Sequence, residues 1–177
     1  TLAGDAVAGP SGKALTNFVF QAGGATARGD IRQDASGLLD GALTVDAPDV
    51  STAAALALVE ATGAAKADVK LSAAEGRQQA EVAAQVSNLM ADQARVRSAD
   101  IRATIADLFN VPIINGSIKA GGISAGGVNV TTLDAEASSE AAVTNFTASA
   151  ALDNGTDIGT RGALSPEAGG YRVKLDA

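Results

Sequence analysis

The feature that constrains this chain most is a set of short stretches in which apolar and polar residues alternate. Between Ala25 and Arg32, positions 25, 27 and 31 are apolar and positions 26, 28, 30 and 32 are polar. The same alternation returns in residues 66–72 and 171–176. Because successive side chains of a strand point to opposite faces, each stretch predicts a strand with one apolar and one polar face.

The composition leaves this predicted sheet little material for a thick core. Of the 177 residues, 40 are Ala, and Leu, Ile, Val and Phe together also number 40. The chain has one Tyr and no Trp. Since a compact globule is filled by large apolar side chains, we expect a sheet with one lined face rather than a thick sandwich.

Turn signals separate the alternating stretches at strand-length intervals and predict an all-β fold. Gly and Asn allow the positive φ of tight turns, and Pro presets φ at the first turn position. Between the signals we place about ten strands. The signals are Gly9–Gly12, Gly23-Gly24, 35–37, Pro48-Asp49, Glu75-Gly76, Asn115-Gly116, Gly121-Gly122, Gly126-Gly127, Asp153–Gly155 and 165–170.

One segment departs from the strand pattern and predicts a short helix near 52–61. Residues 49–52 are typical of a helix N-cap, residues Ala53–Ala61 are rich in Ala and Leu, and Gly63 follows as a C-terminal glycine. This helix would be apolar nearly all round, so we expect it to be buried against the sheet.

The segment from Ile101 to Phe109 fits both helical and strand spacing. We predict a strand through Ile105 and a short turn at 108–110, because Pro112 cannot continue a helix.

Two strands change phase midway, which predicts β-bulges. Apolar positions 118 and 120 are out of phase with 123 and 125 across Gly121-Gly122, and positions 128 and 130 are out of phase with 133, 135 and 137 across Thr131-Thr132. A bulge inserts one extra residue and bends and twists the sheet. The fold that we expect is an elongated, curved, bulged β-sheet that leaves an open groove.

Charge and residue usage argue against several classes of function. The formal net charge is −7 and the 13 basic residues are scattered, whereas a nucleic-acid binder needs them clustered. With no His and no Cys, the commonest general base, the thiol nucleophile and the usual transition-metal ligands are missing. We therefore predict no enzyme, no metal site, no cofactor and no nucleic-acid partner.

The apolar face remains as a functional surface. It is either an ordinary core, closed by another sheet or coiled into a filled β-helix, or an open groove that shields lipid. Leaving roughly 30 acyl methylenes in water costs about 0.8 kcal/mol each, so a lipid that moves between membranes needs a continuous apolar path. Small Ala and Val linings leave room for a guest and favour the groove. Its predicted lining is Ala67, Val69, Leu71, Val82, Val86, Ile101, Ile105, Ile118, Val128, Val130, Phe146, Leu152, Tyr171, Val173 and Leu175.

The C-terminal half carries a resemblance to a known family. Residues 101–120 contain a Leu-Phe-x-x-Pro turn at 108–112, and Ala-rich alternating strands follow at 128–137, 146–152 and 162–175. This stretch resembles the TamB family of AsmA-like bacterial envelope proteins, of the alphaproteobacterial type. The resemblance covers about residues 95–177, and residues 1–94 share only the general sequence pattern of the family.

The resemblance implies a long periplasmic protein that is anchored in the inner membrane and reaches the outer membrane. Its body would be a curved sheet with a hydrophobic interior, called a β-taco, and its roles would be phospholipid transport and outer-membrane protein assembly with a TamA-like barrel partner. We therefore expect residues 1–177 to be one β-rich repeat segment of such a protein, with the anchor elsewhere and phospholipid acyl chains in its groove.

Two other functions remain open at this point. The same fold would serve a scaffold that templates outer-membrane strands by edge pairing. A structural or adhesive β-helix would instead have regular rungs and a filled core, and the irregular strand spacing does not favour it.

Overall fold

The computed structural model describes residues 1–56, 58–109, 112–140, 143–167 and 170–176. In these ranges the chain forms one antiparallel sheet of twelve strands and one short helix. In chain order the elements are β1 (Leu2–Gly9), β2 (Gly12–Ala22), β3 (Ala25–Asp34), β4 (Leu39–Ala47), α1 (Ser51–Leu56), β5 (Ala61–Ala74), β6 (Arg77–Ala91), β7 (Ala94–Ala106), β8 (Ile113–Ala125), β9 (Val128–Glu140), β10 (Val143–Leu152), β11 (Asp157–Glu167) and β12 (Gly170–Asp176).

The strands follow one another across the sheet in chain order, from β1 to β12. Each pairs antiparallel with its neighbours in sequence. Short turns join most consecutive strands as hairpins, whereas the connection from β4 to β5 contains α1. In the described ranges β1 and β12 have one strand neighbour each, so the sheet is open. This confirms the all-β, curved open sheet. The antiparallel order does not agree with a β-helix, whose coils stack in parallel.

Twelve strands form where about ten are predicted. One unexpected turn lies at 92–93, where Asp92 adopts a left-handed φ of 50° and reverses the chain between β6 and β7. Two predicted turns are wrong, since Asn115-Gly116 and Gly121-Gly122 lie inside β8. Gly116 is needed there for close approach: an added Cβ would lie 2.6 Å from the carbonyl oxygen of Arg102.

The predicted helix at 52–61 is shorter than expected. It ends at Leu56, Leu58 adopts a left-handed φ of 59°, and Ala61 already begins β5. Pairing of Ala61 with Ala91 extends the sheet at the expense of the helix. Gly63 is part of β5 rather than a helix cap. The expected burial is wrong for the residues just after the helix, since Leu58 is 95% exposed and Val59 is 52% exposed.

The ambiguous segment at 101–109 is a strand followed by a turn, as predicted. Ile101 and Ile105 belong to β7, which ends at Ala106. Leu108 and Phe109 lie in a turn, where the backbone N–H of Leu108 donates to the carbonyl oxygen of Gln78 at 3.0 Å. Asn110 lies outside the described residues.

The two predicted phase changes have different causes. At Thr131 the register of β9 with β10 shifts, because Ala151 pairs with Thr132 and Leu152 with Val130. At Gly121-Gly122 the predicted bulge is wrong, because the register of β8 with both neighbours continues unchanged. There the left-handed φ of Gly122, 62°, accompanies the change of phase.

The sheet has almost no fully buried residues. Among the described residues, only Ala47, Ala80 and Gln78 are buried. The Gln78 carboxamide replaces strand pairing where β4 begins: its Oε1 accepts from the Leu39 N–H at 2.6 Å, and its Nε2 donates to the carbonyl oxygens of Leu39 at 2.8 Å and Ser72 at 3.0 Å. This side chain therefore joins β4 to the end of the β5–β6 hairpin.

The turn between β3 and β4 is held by one carboxylate. Asp34 Oδ1 accepts from the Ser36 hydroxyl at 2.6 Å and from the backbone N–H groups of Ser36 and Leu38 at 2.8 and 3.0 Å. These bonds, chiefly that of the Ser36 hydroxyl, lower the pKa of Asp34 below 3.8.

The Asp34 turn is therefore expected to loosen in acid. A pKa depressed on folding contributes stability above the unfolded value, which is lost as the pH falls through the folded value. The protection of the amides of residues 36–38, measured relative to their unfolded exchange rates at each pH, should fall below about pH 4 and should be low at all pH values in Asp34→Ala. Protection of these amides that is the same at pH 2 and pH 6 would contradict this account.

Candidate functional site

Directly paired residues of antiparallel strands share a face of the sheet, so the register defines rows of neighbours across it. One such row passes through Ile118 and crosses eleven strands. It is apolar from β1 to β10 and ends in a threonine on β11. Its members are Leu2, Phe20, Ala27, Val45, Ala67, Ala84, Ile101, Ile118, Ala135, Ala148 and Thr160.

Three neighbouring rows lie on the same face, because their members alternate in phase with the first along each strand, except on β2, where a bulge at Asn17 shifts the phase of Leu15 by one residue. Together the four rows are called the apolar face. The Val82 row contains Phe18, Gly29, Leu43, Val69, Val82, Ala103, Gly116, Ala137, Phe146, Gly162 and Leu175. The Ile105 row contains Ala6, Leu15, Ile31, Gly41, Leu71, Ala80, Ile105 and Ile114, and it continues through Ser139, Thr144, Leu164 and Val173. The Val86 row contains Ala47, Ala65, Val86, Ala99, Ala120, Leu133, Ala150 and Ile158.

The bulge at Thr131 keeps further apolar residues on this face. Leu152 alternates in phase with Ala150 along β10, so it points to the apolar face. The register shift pairs Leu152 with Val130. Without the extra residue, simple alternation from Leu133 would turn Val130 to the polar face.

The structure therefore brings the predicted lining residues together on one face. The Ile118, Val82, Ile105 and Val86 rows contain eleven of them, and Val130 and Leu152 extend the face at one end. Val128 lies two residues before Val130 on the same strand and is 50% exposed. Tyr171 pairs with Pro166, and its side chain lies outside what the structure describes.

Sequence reasoning missed large members of the same face. Leu15, Phe18, Phe20, Leu43 and Ile114 lie in its rows and were not among the predicted residues. For Leu43 the signal was available, because it alternates with Gly41 and Val45. Phe18 follows a bulge at Asn17, whose φ is 51°, and that change of phase hid it.

The apolar face is open in the described part of the chain. Ile118 is 41% exposed, Phe20 43% and Leu175 63%, whereas residues of a closed core are mostly inaccessible. The elements described comprise this one sheet and α1, which packs beside β5. The face is thus a single layer without a second sheet over it.

The polar face contains a hollow of about 1090 Å³. Most strands around the hollow contribute three consecutive residues to its lining, for example 102–104 on β7 and 115–117 on β8. The first and third residue of each triplet belong to the polar face, and the middle residue belongs to the apolar face. The next apolar-face residues, such as Ile101 and Ile105, are not among its described lining. The hollow therefore opens on the polar face, with the middle residues as its floor.

Three of the predicted lining residues, Val69, Val82 and Phe146, belong to that floor. The expected hydrophobic groove and the observed hollow thus lie on opposite faces of the sheet. The predicted residues form an open apolar surface, and the walls of the hollow are polar.

The walls of the hollow carry balanced charge. Four acidic and four basic side chains line it: Asp68, Glu81, Glu136, Asp176, Lys70, Arg102, Arg161 and Lys174. Lys70 and Glu81 are paired at 3.8 Å. Beside it, Lys119 Nζ donates to Asp134 Oδ1 at 2.7 Å, and that bond, aided by the charges of Asp134 and Glu136, raises the pKa of Lys119 above 10.5. Such balance favours neither an anion nor a cation.

Other kinds of site were sought in the same residues. No group of three or more metal-ligating side chains is found among the residues described. Within the same ranges, none of the helical structure is long and apolar enough to cross a membrane.

Comparisons with known proteins give no relative. No family model matches the chain, and neither a curated protein nor a solved structure matches it.

Proposed function

We propose that the apolar face binds phospholipid acyl chains, and that the chain is a segment of a periplasmic protein that shields lipids between the inner and outer membranes. The observation that carries the proposal is the apolar face itself, which crosses eleven strands in continuous rows and over which the described residues place no second layer. Exposed apolar surface of this extent marks a binding surface.

The dimensions of the face suit acyl chains. With strands about 4.8 Å apart, a row across eleven strands is about 48 Å long. An acyl chain that fills half of a ~30 Å hydrocarbon core is about 15 Å long and would cover about three to four strands. Several chains would fit side by side or end to end.

The surface shape of the apolar face also suits a flexible acyl chain. Around its centre, Ala103, Gly116 and Ala137 lie between the larger Val82 and Phe146 along one row. Small residues between large ones make a shallow furrow, and each methylene that leaves water there contributes about 0.8 kcal/mol. The role is passive burial, with no bond made or broken.

Charge on the apolar face is expected to abolish lipid binding without unfolding the sheet. Ile105→Asp and Val130→Asp each place a carboxylate where acyl chains would lie, and desolvating it costs several kcal/mol. Native mass spectrometry with lipid extraction should find phospholipid on the parent protein and a loss of at least tenfold in either variant.

The matched control is Thr104→Asp, which adds the same charge next to Ile105 but on the polar face. It should keep its lipid. Circular dichroism and urea unfolding check that all variants are folded. Equal lipid content in folded Ile105→Asp and Thr104→Asp would overturn the proposal, as would a parent protein that binds no phospholipid from added vesicles.

A second candidate is a scaffold for outer-membrane protein strands alongside a TamA-like partner. It is supported by β1, which among the described residues has a strand neighbour on one side only. All eight residues of β1 are exposed, and Asp5 is its one charged residue. Edge strands with few charges accept a further strand readily. Addition of an unfolded outer-membrane barrel protein should then protect β1 amides from hydrogen exchange, while Ile105→Asp leaves that protection intact.

A further inference from the structure

The shallow furrow in the Val82 row has defined ends. Its floor consists of Ala103 on β7, Gly116 on β8 and Ala137 on β9, which are directly paired neighbours. Val82 on β6 pairs with Ala103, and Phe146 on β10 pairs with Ala137. The floor of small residues is thus bounded by a larger side chain at each end.

The furrow also has walls. On β7 and on β8, two isoleucines flank the floor residue, two positions to either side of it along the strand. They are Ile101 and Ile105 on β7, and Ile114 and Ile118 on β8. Ile114 and Ile118 are each 41% exposed, whereas the floor residues are half-buried. The isoleucine side chains therefore project above the floor on both sides.

The Phe146 ring leaves the floor uncovered. Gly162 on β11 pairs with Phe146, and a Cβ added to Gly162 would lie 2.7 Å from Cζ of the ring and 3.1 Å from Cε1. The ring therefore lies over Gly162 on β11 and not over Ala137 on β9. Phe146 forms one end of the furrow without filling it.

The furrow has the dimensions of one acyl chain. Val82 and Phe146 are four strands apart, which is about 19 Å at about 4.8 Å per strand. An acyl chain that fills half of a ~30 Å hydrocarbon core is about 15 Å long and fits between these two residues. Across the furrow, the two isoleucines of each strand lie four residues apart, about 13 Å at about 3.3 Å per residue. Their side chains leave space for a single chain.

The two ends of the furrow differ in polarity. In the Ile105 row, Ser139 on β9 and Thr144 on β10 follow the isoleucines of β7 and β8, and their hydroxyl oxygens are 2.7 Å apart. At the other end, Val82 is flanked along β6 by Ala80 and Ala84. A polar group is costly to bury among apolar side chains. The ester or carboxylate end of a lipid therefore belongs beside the hydroxyls.

We propose that the furrow seats a single acyl chain, which lies across the strands with its methyl end at Val82 and its polar end beside Ser139 and Thr144. This inference rests on the proposed function and adds a length limit to it. Each methylene that the furrow buries strengthens binding about fourfold. Methylenes beyond the length of the furrow add much less.

The length limit is tested by isothermal titration calorimetry with octanoate, laurate and palmitate, each below its micelle-forming concentration. The extended laurate chain is about as long as the furrow. Laurate should bind on the order of two hundredfold more tightly than octanoate, because it has about four more methylenes in the furrow. Palmitate should bind less than about tenfold more tightly than laurate.

The outcomes separate this inference from the proposed function. An equal gain in affinity at both steps of the series would overturn the furrow but leave acyl-chain binding by the apolar face intact. A protein that binds none of the three fatty acids would contradict both.

A pair of phenylalanine variants locates the furrow on the face. Ala137→Phe moves its end one strand closer to Val82, so laurate binding should weaken at least tenfold and octanoate binding should change less than about twofold. The matched control, Ala120→Phe, adds the same ring to the same face but behind Ile118, and it should bind laurate as the parent does. Equal laurate affinities of the two variants, both folded by circular dichroism, would overturn the proposal. If Ala137→Phe fails to fold, Ala103→Phe blocks the same furrow from β7.

The orientation of the chain is tested by photo-cross-linking with a laurate analogue that carries a diazirine at its methyl end. Mass spectrometry of the digested protein should find the cross-link on β6, at or beside Val82. A cross-link on β10 beside Thr144 would overturn the proposed orientation.

Discussion

Replacement of Gln78 by leucine is expected to lower the free energy of unfolding by about 2–4 kcal/mol. The side chain is 1% exposed, and its carboxamide bonds the backbone of Leu39 in both directions and the carbonyl oxygen of Ser72. Leucine fills similar space but leaves those backbone groups without a partner, and each unsatisfied buried group costs about 1–3 kcal/mol. The midpoint of urea unfolding measures the loss.

Two further variants make this prediction specific. Gln85→Leu removes an exposed glutamine whose Nε2 donates to Asp100 at 3.1 Å, and it should change stability by less than about 0.5 kcal/mol. Gln78→Glu keeps the shape but not the donor, so its cost should fall in acid, where the protonated carboxyl can donate again. Equal urea midpoints for Gln78→Leu and Gln85→Leu would show that the carboxamide does not hold β4 in place.

Replacement of Gly41 by alanine is expected to cost about 2–4 kcal/mol as well, for a steric reason. Gly41 lies in β4 with a φ of 146°, and an added Cβ would collide with the carbonyl oxygen of Asp30 on β3. Neither backbone can yield without breaking the β3–β4 register. Strain of this kind costs about 1–3 kcal/mol at one residue, before the collision itself is counted.

The matched control is Gly159→Ala in β11, where a Cβ meets no atom within 4 Å. That variant should be neutral or slightly stabilising, since alanine has fewer unfolded conformations than glycine. Calorimetric or urea unfolding of the pair measures the difference. Gly41→Ala as stable as Gly159→Ala would mean that β3 and β4 do not approach as closely as described.

Predictions from the sequence agree best with the structure where the pattern is local. The alternation around Ala67, Val69 and Leu71 appears in β5 as half-buried residues between exposed ones. The phase change at Thr131 was also readable, because a bulge leaves its mark on the spacing of apolar residues along one strand.

The predictions that are wrong depend on competition between segments. Ala53–Ala61 has good helix composition, but residues from Ala61 onward gain a strand partner in β6, and tertiary pairing outweighs helix propensity. The composition around Gly116 predicts a turn, because glycine is common in turns. The actual role of this glycine, close approach to Arg102 of the neighbouring strand, depends on a residue fourteen positions away.

The sequence by itself determined that this chain is all-β and which side chains share a face within one regular stretch of a strand, because the period of two follows from the geometry of a single strand. Only the tertiary structure decided that the twelve strands form one open antiparallel layer, that the hollow of about 1090 Å³ opens on the polar face, and that Gln78 closes the start of β4. Those features arise from register, twist and contact between distant strands, which no single stretch of alternating residues encodes.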